Sequence, residues 1–373
     1  MTLSGSQKAN LVSRSLTMKL VQSMLNLSED AKKELSKSDT FDFNIFKLRD
    51  YTKGRELEAI HLHLAVSKNC ISRTNTDINK MSAFLMAIQA GYKNITYHNK
   101  THGADLCQNI NMFLQAGGLA EKLKLDELEY LGVLTAAVCH DYQHPGVNNA
   151  YLTKVQDPIA IRHNDTSVLE SHHIAASFEL MMGNPAYNWA YKFESDDFCR
   201  IRQIMIDCVL ATDMQHHMAV TKQIKDKLDE KVELSNEKDR IMFLKYAFHL
   251  ADISNPTKKF DLCKDWTDLL YVEFFCQGDL EKKHKLPVNY LCDRHTTNVA
   301  KAQIGFYDFI ITPSFGLLTR MCPDLEFLLQ SIKENKETWT GLFDEYEEKM
   351  KAQNYYFSTE IERRKLPGAL IFD

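Results

Sequence analysis

Three stretches of this 373-residue chain hold side chains able to do chemistry together. The first is Tyr97-His98-Asn99-Lys100-Thr101-His102. Read as helix, it places His98 and His102 four apart on one face. Such a pair can bind one metal ion jointly, or one imidazole can bind metal while the other moves a proton. Two surface histidines on a partly exposed helix are the plainer alternative. The second stretch is Val138-Cys139-His140-Asp141-Tyr142-Gln143-His144-Pro145. A long apolar run delivers His140 and Asp141 at its end, with His144 one turn later. A carboxylate can bridge two metals, which one imidazole cannot do. A capping Asp with surface histidines is the competing reading. The third stretch is His249-Leu250-Ala251-Asp252-Ile253-Ser254-Asn255-Pro256. An apolar run again ends in an acid, Asp252. An acid at a helix C-terminus opposes the macrodipole, a cost that a bound cation would offset.

Together His102, His140, Asp141 and Asp252 make two nitrogen and two carboxylate ligands. That mixed set suits zinc, manganese or iron and leaves positions for water. If Asp141 bridges, a second ion is held mainly by water, which is magnesium-like behaviour. Two such ions lower the pKa of bound water to about 7 and clamp phosphoryl oxygens. His98 is then free to protonate a leaving oxygen.

The elements that must position these residues read as helices. Leu128 to Val138, Ile201 to Leu210, Phe243 to Leu250, Leu269 to Phe275 and Val299 to Ile310 are apolar at the i, i+3, i+4, i+7 spacing. Convincing hairpin signals are absent, and none of the 8 prolines precedes Pro145. The chain reads as all-α, with many helices and more than a simple bundle. Loops are expected at 183–195, 234–239 and 282–298; the last is long enough to border a site. The polar start carries one amphipathic segment, Met18–Leu27. The segment 326–351 is helical and rich in Glu and Lys.

Composition removes several function classes. Net charge is −5 with dispersed Lys and Arg, so no basic stripe suits nucleic acid. Mean hydropathy is −0.34, and no apolar run approaches bilayer-spanning length. The start has no signal-peptide core, and neither end carries a lipidation motif. The 9 cysteines are scattered without a CxxC pair. They read as reduced and mostly buried, which implies a cytoplasmic location.

The motifs YHNKTHGADL, HDYQHPGVNN, TSVLESHH, VLATDM, ADISNPTK, EFFCQGD and AQIGFYDF follow one another from Tyr97 to Phe309. In this order the chain resembles the catalytic domain of the class I cyclic nucleotide phosphodiesterases, within the wider HD phosphohydrolase group. The resemblance implies an all-α domain of about sixteen helices in three packed subdomains. These would run from about residue 40 to 148, to 216 and to 350, with a two-metal site at their junction. Residues 1–39 would then be a lead-in or linker, 40–350 the catalytic domain and 351–373 a tail. Regulatory domains usually precede the catalytic part in this family, which leaves open that the chain is a fragment.

The resemblance also implies roles. His102, His140, Asp141 and Asp252 resemble the zinc ligands, and Asp141 would bridge to a second ion, magnesium or manganese. His98 resembles the general acid that protonates the O3′ leaving group after attack by a metal-bridging hydroxide. Glu273 resembles the carboxylate that orients His98. His144, Glu170 and Asp213 resemble residues that hold metal-bound waters. Gln303 resembles the amide that pairs with the purine, and Phe306 with Leu270 the sandwich around it. Asn255 resembles the residue beside the base, and its type leans toward cAMP; a rotatable Gln303 leaves dual cAMP/cGMP specificity open. Tyr97 and Met214 resemble other pocket-wall residues. Departures from the family pattern fall at Tyr142-Gln143, Cys276 and Cys263, and bear on base preference and inhibitor fit. A cyclic-nucleotide-binding module without turnover, and an HD-type hydrolase of another phosphate ester, are the competing functions.

Overall fold

The computed structural model describes residues 5–351. The expected tail, 351–373, lies almost wholly outside the described residues. Among them there is no strand, and twenty α-helical segments run from Gly5–Met24 to Phe343–Lys351. The surplus over sixteen matches four short pieces: Cys70–Arg73, Leu119–Lys122, Asn149–Lys154 and Pro158–Arg162. One or two turns carry no readable periodicity, so the sequence pattern passes over them. No helix among the described residues is long and apolar enough to cross a membrane.

Two helices form the centre. Lys100–Gln115 is buried from Thr101 to Leu114, and Glu127–Cys139 from Leu128 to Cys139. They pack on each other and on Glu56–Ser67, Ser195–Leu210 and Arg240–Asp252. Each large apolar side chain buried there contributes about 1.5–3 kcal/mol. The apolar stretch of each helix therefore anchors it, and the polar residue at its tip is held by position. One continuous core runs from Val21 to Tyr346 through all three expected subdomains, and includes Val21, Leu25, Leu27, Ala31 and Leu35 of the lead-in. A small second core of Val147, Tyr151, Leu152, Ala160, Val168 and Leu169 supports the connection after His144.

The starts of the two central helices are built by side-chain capping. Asp126 and Glu129 form a reciprocal capping box at Glu127–Cys139. Asn99 accepts the Thr101 N–H at 2.9 Å and so starts its helix at Lys100. This corrects the helical reading of YHNKTH. His98 lies before the cap in a bend, not one turn below His102 on a shared face. Asn99 ends the pattern because its side chain satisfies a backbone donor that a longer helix would have satisfied itself.

The long 284–298 loop is pinned along the helix Phe260–Lys283. Buried Glu281 accepts the Asn289 N–H at 2.7 Å. Gly278 admits the close approach: a Cβ there would lie 1.9 Å from the Cys292 carbonyl oxygen. Leu291 of this loop adopts a left-handed backbone (φ 66°) and lines the cavity described below. All nine cysteines are free and seven are buried.

Candidate active site

Glu273, buried on the Phe260–Lys283 helix, holds the bend that carries His98. Its Oε2 accepts the backbone N–H groups of Tyr97 (2.9 Å) and His98 (3.1 Å), and its Oε1 meets His98 Nδ1 at 2.5 Å. One carboxylate thus fixes both the backbone and the ring. Burial pushes His98 down, but the Glu273 and Asp141 carboxylates outweigh it and raise it to about 9. At neutral pH the ring is an imidazolium with Nε2–H free to donate.

Three helix ends bring four donor atoms together beside it. His102 Nε2 lies 2.9 Å from Asp252 Oδ1 and 3.5 Å from Asp141 Oδ2. His140 Nε2 lies 3.0 Å from Asp141 Oδ2 and 3.2 Å from Asp252 Oδ1. His140 Nδ1 lies 2.8 Å from the Ala137 carbonyl and donates to it. Its Nε2 therefore presents a lone pair to two carboxylates. His140 Nε2, Asp141 Oδ2 and Asp252 Oδ1 are all buried without a hydrogen-bond partner. Facing lone pairs at this distance repel unless a proton or a cation lies between them. The titration behaviour says the same. Burial pushes His140 down, yet Asp141 and Asp252 carry it well above the usual range. Burial pushes Asp252 up, yet His140 and His102 carry it far below. His102, His140 and Asp252 form a set of donors able to hold a divalent ion, and Asp141 Oδ2 lies within 3.5 Å of both imidazoles.

The other oxygen of Asp141 faces a second group. His173 Nε2 lies 3.7 Å from Asp141 Oδ1, and Asp141, His144 and His173 form a further set of donors able to hold an ion. His144 accepts the Gly146 N–H on Nδ1 at 3.0 Å, so its proton sits on Nε2. Its ring stacks on His98 at 4.2 Å. Burial and the His98 cation hold it well below its ordinary range, hence neutral. Glu170 accepts from Asn149 Nδ2 at 3.0 Å; burial, then the Asp213 charge, pushes it up to about 7. Asp213 accepts from Ser167 Oγ at 2.8 Å and from the Gln215 N–H at 2.9 Å.

A cavity of about 580 Å³ joins these groups to the rest of the expected site. Every residue given a site role from the sequence lines it except His140, whose Nε2 lies against Asp141 and Asp252. Gln303 and Phe306 come from the helix Val299–Phe306, and Leu270 from the helix of Glu273. Asn255 donates from Nδ2 to the Tyr97 hydroxyl at 2.7 Å, which leaves its buried Oδ1 without a partner. Met214 is 44% exposed at the rim. None of Tyr142, Gln143, Cys263 and Cys276 lines the cavity. Cys263 is instead buried against the Tyr307 hydroxyl at 3.4 Å. Sequence reasoning missed His173, although the ESHH motif contains it; only the geometry distinguishes it from its half-buried neighbour His172, which meets Gln143 Oε1 at 3.0 Å.

The family model for 3′5′-cyclic nucleotide phosphodiesterase matches residues 97–332. The chain belongs to this family. The phosphodiesterase match begins at Tyr97, the first residue held by Glu273, and ends within the helix Phe327–Gly341. The 3′,5′-cyclic-AMP phosphodiesterase 4C of Rattus norvegicus is 32% identical over 318 residues, covering 83% of this chain and 59% of that protein. The dual specificity calcium/calmodulin-dependent 3′,5′-cyclic nucleotide phosphodiesterase 1B of Bos taurus is 38% identical over 288 residues, covering 76% of this chain and 52% of that protein. The crystal structure of the phosphodiesterase domain of the RhoPDE fusion protein from the choanoflagellate Salpingoeca rosetta is similar with a TM-score of 0.76 and 28% identity. That match covers 86% of this chain and 100% of the other. The chain spans between half and three-fifths of the length of these two curated relatives.

Proposed function

We propose that this chain is a metal-dependent hydrolase of 3′,5′-cyclic nucleotides, releasing 5′-monophosphates, with residues 40–350 as its catalytic unit. The observation that carries the reading is one cavity lined by the His98–Glu273 pair, by three of the four convergent donors (His102, Asp141 and Asp252) and by Gln303 and Phe306. His102, His140, Asp141 and Asp252 would hold a tight ion, proposed as zinc, and Asp141 would share a second, proposed as magnesium or manganese. When bound, the ions supply a nucleophile from water at neutral pH and neutralise phosphoryl charge.

The chain's own groups supply the remainder. His98 donates its Nε2 proton to the departing O3′, and Glu273 holds the ring in line and keeps it charged. His144 presents Nε2–H as a donor, and Glu170 and Asp213 border the Asp141 side as acceptors for ordered water. Gln303 reads the purine edge, with Phe306 and Leu270 on its faces. The free Oδ1 of Asn255 can accept from the 6-amino group of adenine, where guanine carries a carbonyl, which supports a preference for cAMP. The named relatives include both a cAMP enzyme and a dual-specificity one, so cGMP is the proposed second substrate. The free cysteines support a reducing, cytoplasmic setting.

The deciding experiment is initial-rate hydrolysis of cAMP and cGMP side by side, before and after chelation and metal restoration. Turnover that disappears with chelation and returns with metal is expected, with higher kcat/KM for cAMP. No turnover of either with metals verified as bound would favour a binding module or another phosphate ester.

A further inference from the structure

Beneath the donor centre lies a buried charge network that the proposed chemistry does not use. Lys258 Nζ donates to Asp105 Oδ1 at 2.9 Å and to Asn109 Oδ1 at 2.8 Å. The Asn109 amide donates in turn to Asp105 Oδ2 at 3.1 Å and to the Ala251 carbonyl at 3.2 Å. Lys258 is 9% exposed, Asn109 3% and Asp105 1%. Asp105 and Asn109 follow His102 at i+3 and i+7, on the same face of its helix. Ala251 directly precedes Asp252. Lys258 follows the turn Asn255–Thr257, and its carbonyl accepts from Asn335 Nδ2 at 2.7 Å.

Stability alone gives no reason for this network. Removing an ammonium and a carboxylate from water costs several kcal/mol each, and an apolar pair of equal volume often serves as well. What apolar packing does not supply is direction. Two greasy helices can slide past one another by fractions of an ångström; hydrogen bonds to fixed lone pairs resist that. The network ties the helix carrying His102, two turns along at Asn109, to the last turn of the helix carrying Asp252, at the adjacent Ala251 carbonyl. It also brings a cation, through the Asn109 amide, to the carbonyl end of a helix that finishes in an acid.

We propose that Lys258 is a positioning residue for the metal centre, setting the separation of Asp252 from His102 by bridging Asp105 and Asn109. The inference rests on the reading of the four donors as metal ligands. The test is zinc affinity of the full chain, measured by competition with a chromophoric chelator, alongside thermal unfolding of the metal-free protein. The double variant Lys258→Met, Asp105→Asn removes both charges together. It is expected to keep a thermal midpoint close to wild type while its zinc dissociation constant rises about 10–100-fold, the usual effect of losing a group that orients a ligand. Asn109→Leu leaves the Lys258–Asp105 ion pair but removes the bonds of Asn109 to Lys258, to Asp105 and to the Ala251 carbonyl; an increase in the same range is expected. Should the double variant not fold, Asn109→Leu decides alone. Zinc affinity within twofold of wild type in either folded variant overturns the proposal. If the wild-type chain itself binds zinc no better than the Asp252→Ala variant, the ligand reading has failed, which is a different result.

Discussion

The donor floor and the open mouth of the site are built on opposite principles. The floor draws His102, His140, Asp141 and Asp252 from three helix ends, and its donor atoms lie 2.9–3.5 Å apart with little solvent access. Each group is unfavourable without the others, because buried lone pairs and charges lack any other partner. The mouth draws Gln303 and Phe306 from one short helix, Leu270 from another and Met214 from an exposed turn. Its members contribute area and one amide, and each is satisfied alone. The floor therefore fails as a unit under substitution, whereas the mouth adjusts by degrees. On the proposed reading, that difference separates reaction class from base preference within a single site.

The sharpest way to break the comparison is at the floor. Asp252→Ala should weaken zinc binding by more than about 100-fold, a larger loss than for a group outside the ligand shell. Metal analysis after dialysis reads this directly, and full occupancy in that variant means the ligand set is wrong.

Next in size is the dyad between floor and mouth. His98→Ala should lower kcat by about 10²–10⁴-fold and leave metal content unchanged. In the wild type the rate should decline as pH rises through about 9, where His98 loses its proton. Glu273→Gln should move that limb to lower pH, because the carboxylate that raised His98 is gone. An alkaline limb unmoved by Glu273→Gln would rule out His98 as the titrating group.

At the mouth, Gln303→Ala should raise KM about tenfold, the value of one or two hydrogen bonds, or about 1–2 kcal/mol. Its kcat and metal content should be close to wild type. A loss of metal there would erase the distinction between the two regions.

The smallest effect concerns a buried histidine outside the cavity. His61 is fully buried against Thr135 Oγ1 at 3.0 Å, and with no carboxylate beside it burial alone drives it down to about 3. A group depressed on folding contributes stability that is present above its unfolded value of about 6.5 and is lost as pH falls toward the folded value. Between pH 7.5 and 5.5 this one residue should cost about 1 kcal/mol of stability. Denaturant titrations at both pH values should show His61→Leu without that component. An equal loss in the variant would place the acid sensitivity elsewhere.

Much of the site was legible because its chemistry sits in short motifs at the ends of apolar runs. His140-Asp141 and Asp252 stand where hydrophobic periodicity stops, and an acid there is already anomalous. Other features had no such signal. His98 and His102 are four apart in sequence, yet Asn99 caps between them and sends one to Glu273 and the other to Asp252. Glu273 looks like any acid on an amphipathic helix until its two oxygens are found on Tyr97 and His98. His173 is identified only by its unpartnered nitrogen beside Asp141.

From the sequence alone come the helical class, the order of the motifs and the residue types that can ligate metal or carry a proton. Those follow from composition and local periodicity, which act over a few residues. The tertiary structure alone decided which donors face one another, which imidazole is raised and which is lowered, and how Lys258 ties the helices of His102 and Asp252 together. Those depend on distances between groups as many as 175 residues apart in the chain. Only burial, by removing water from between them, makes such distances energetically decisive.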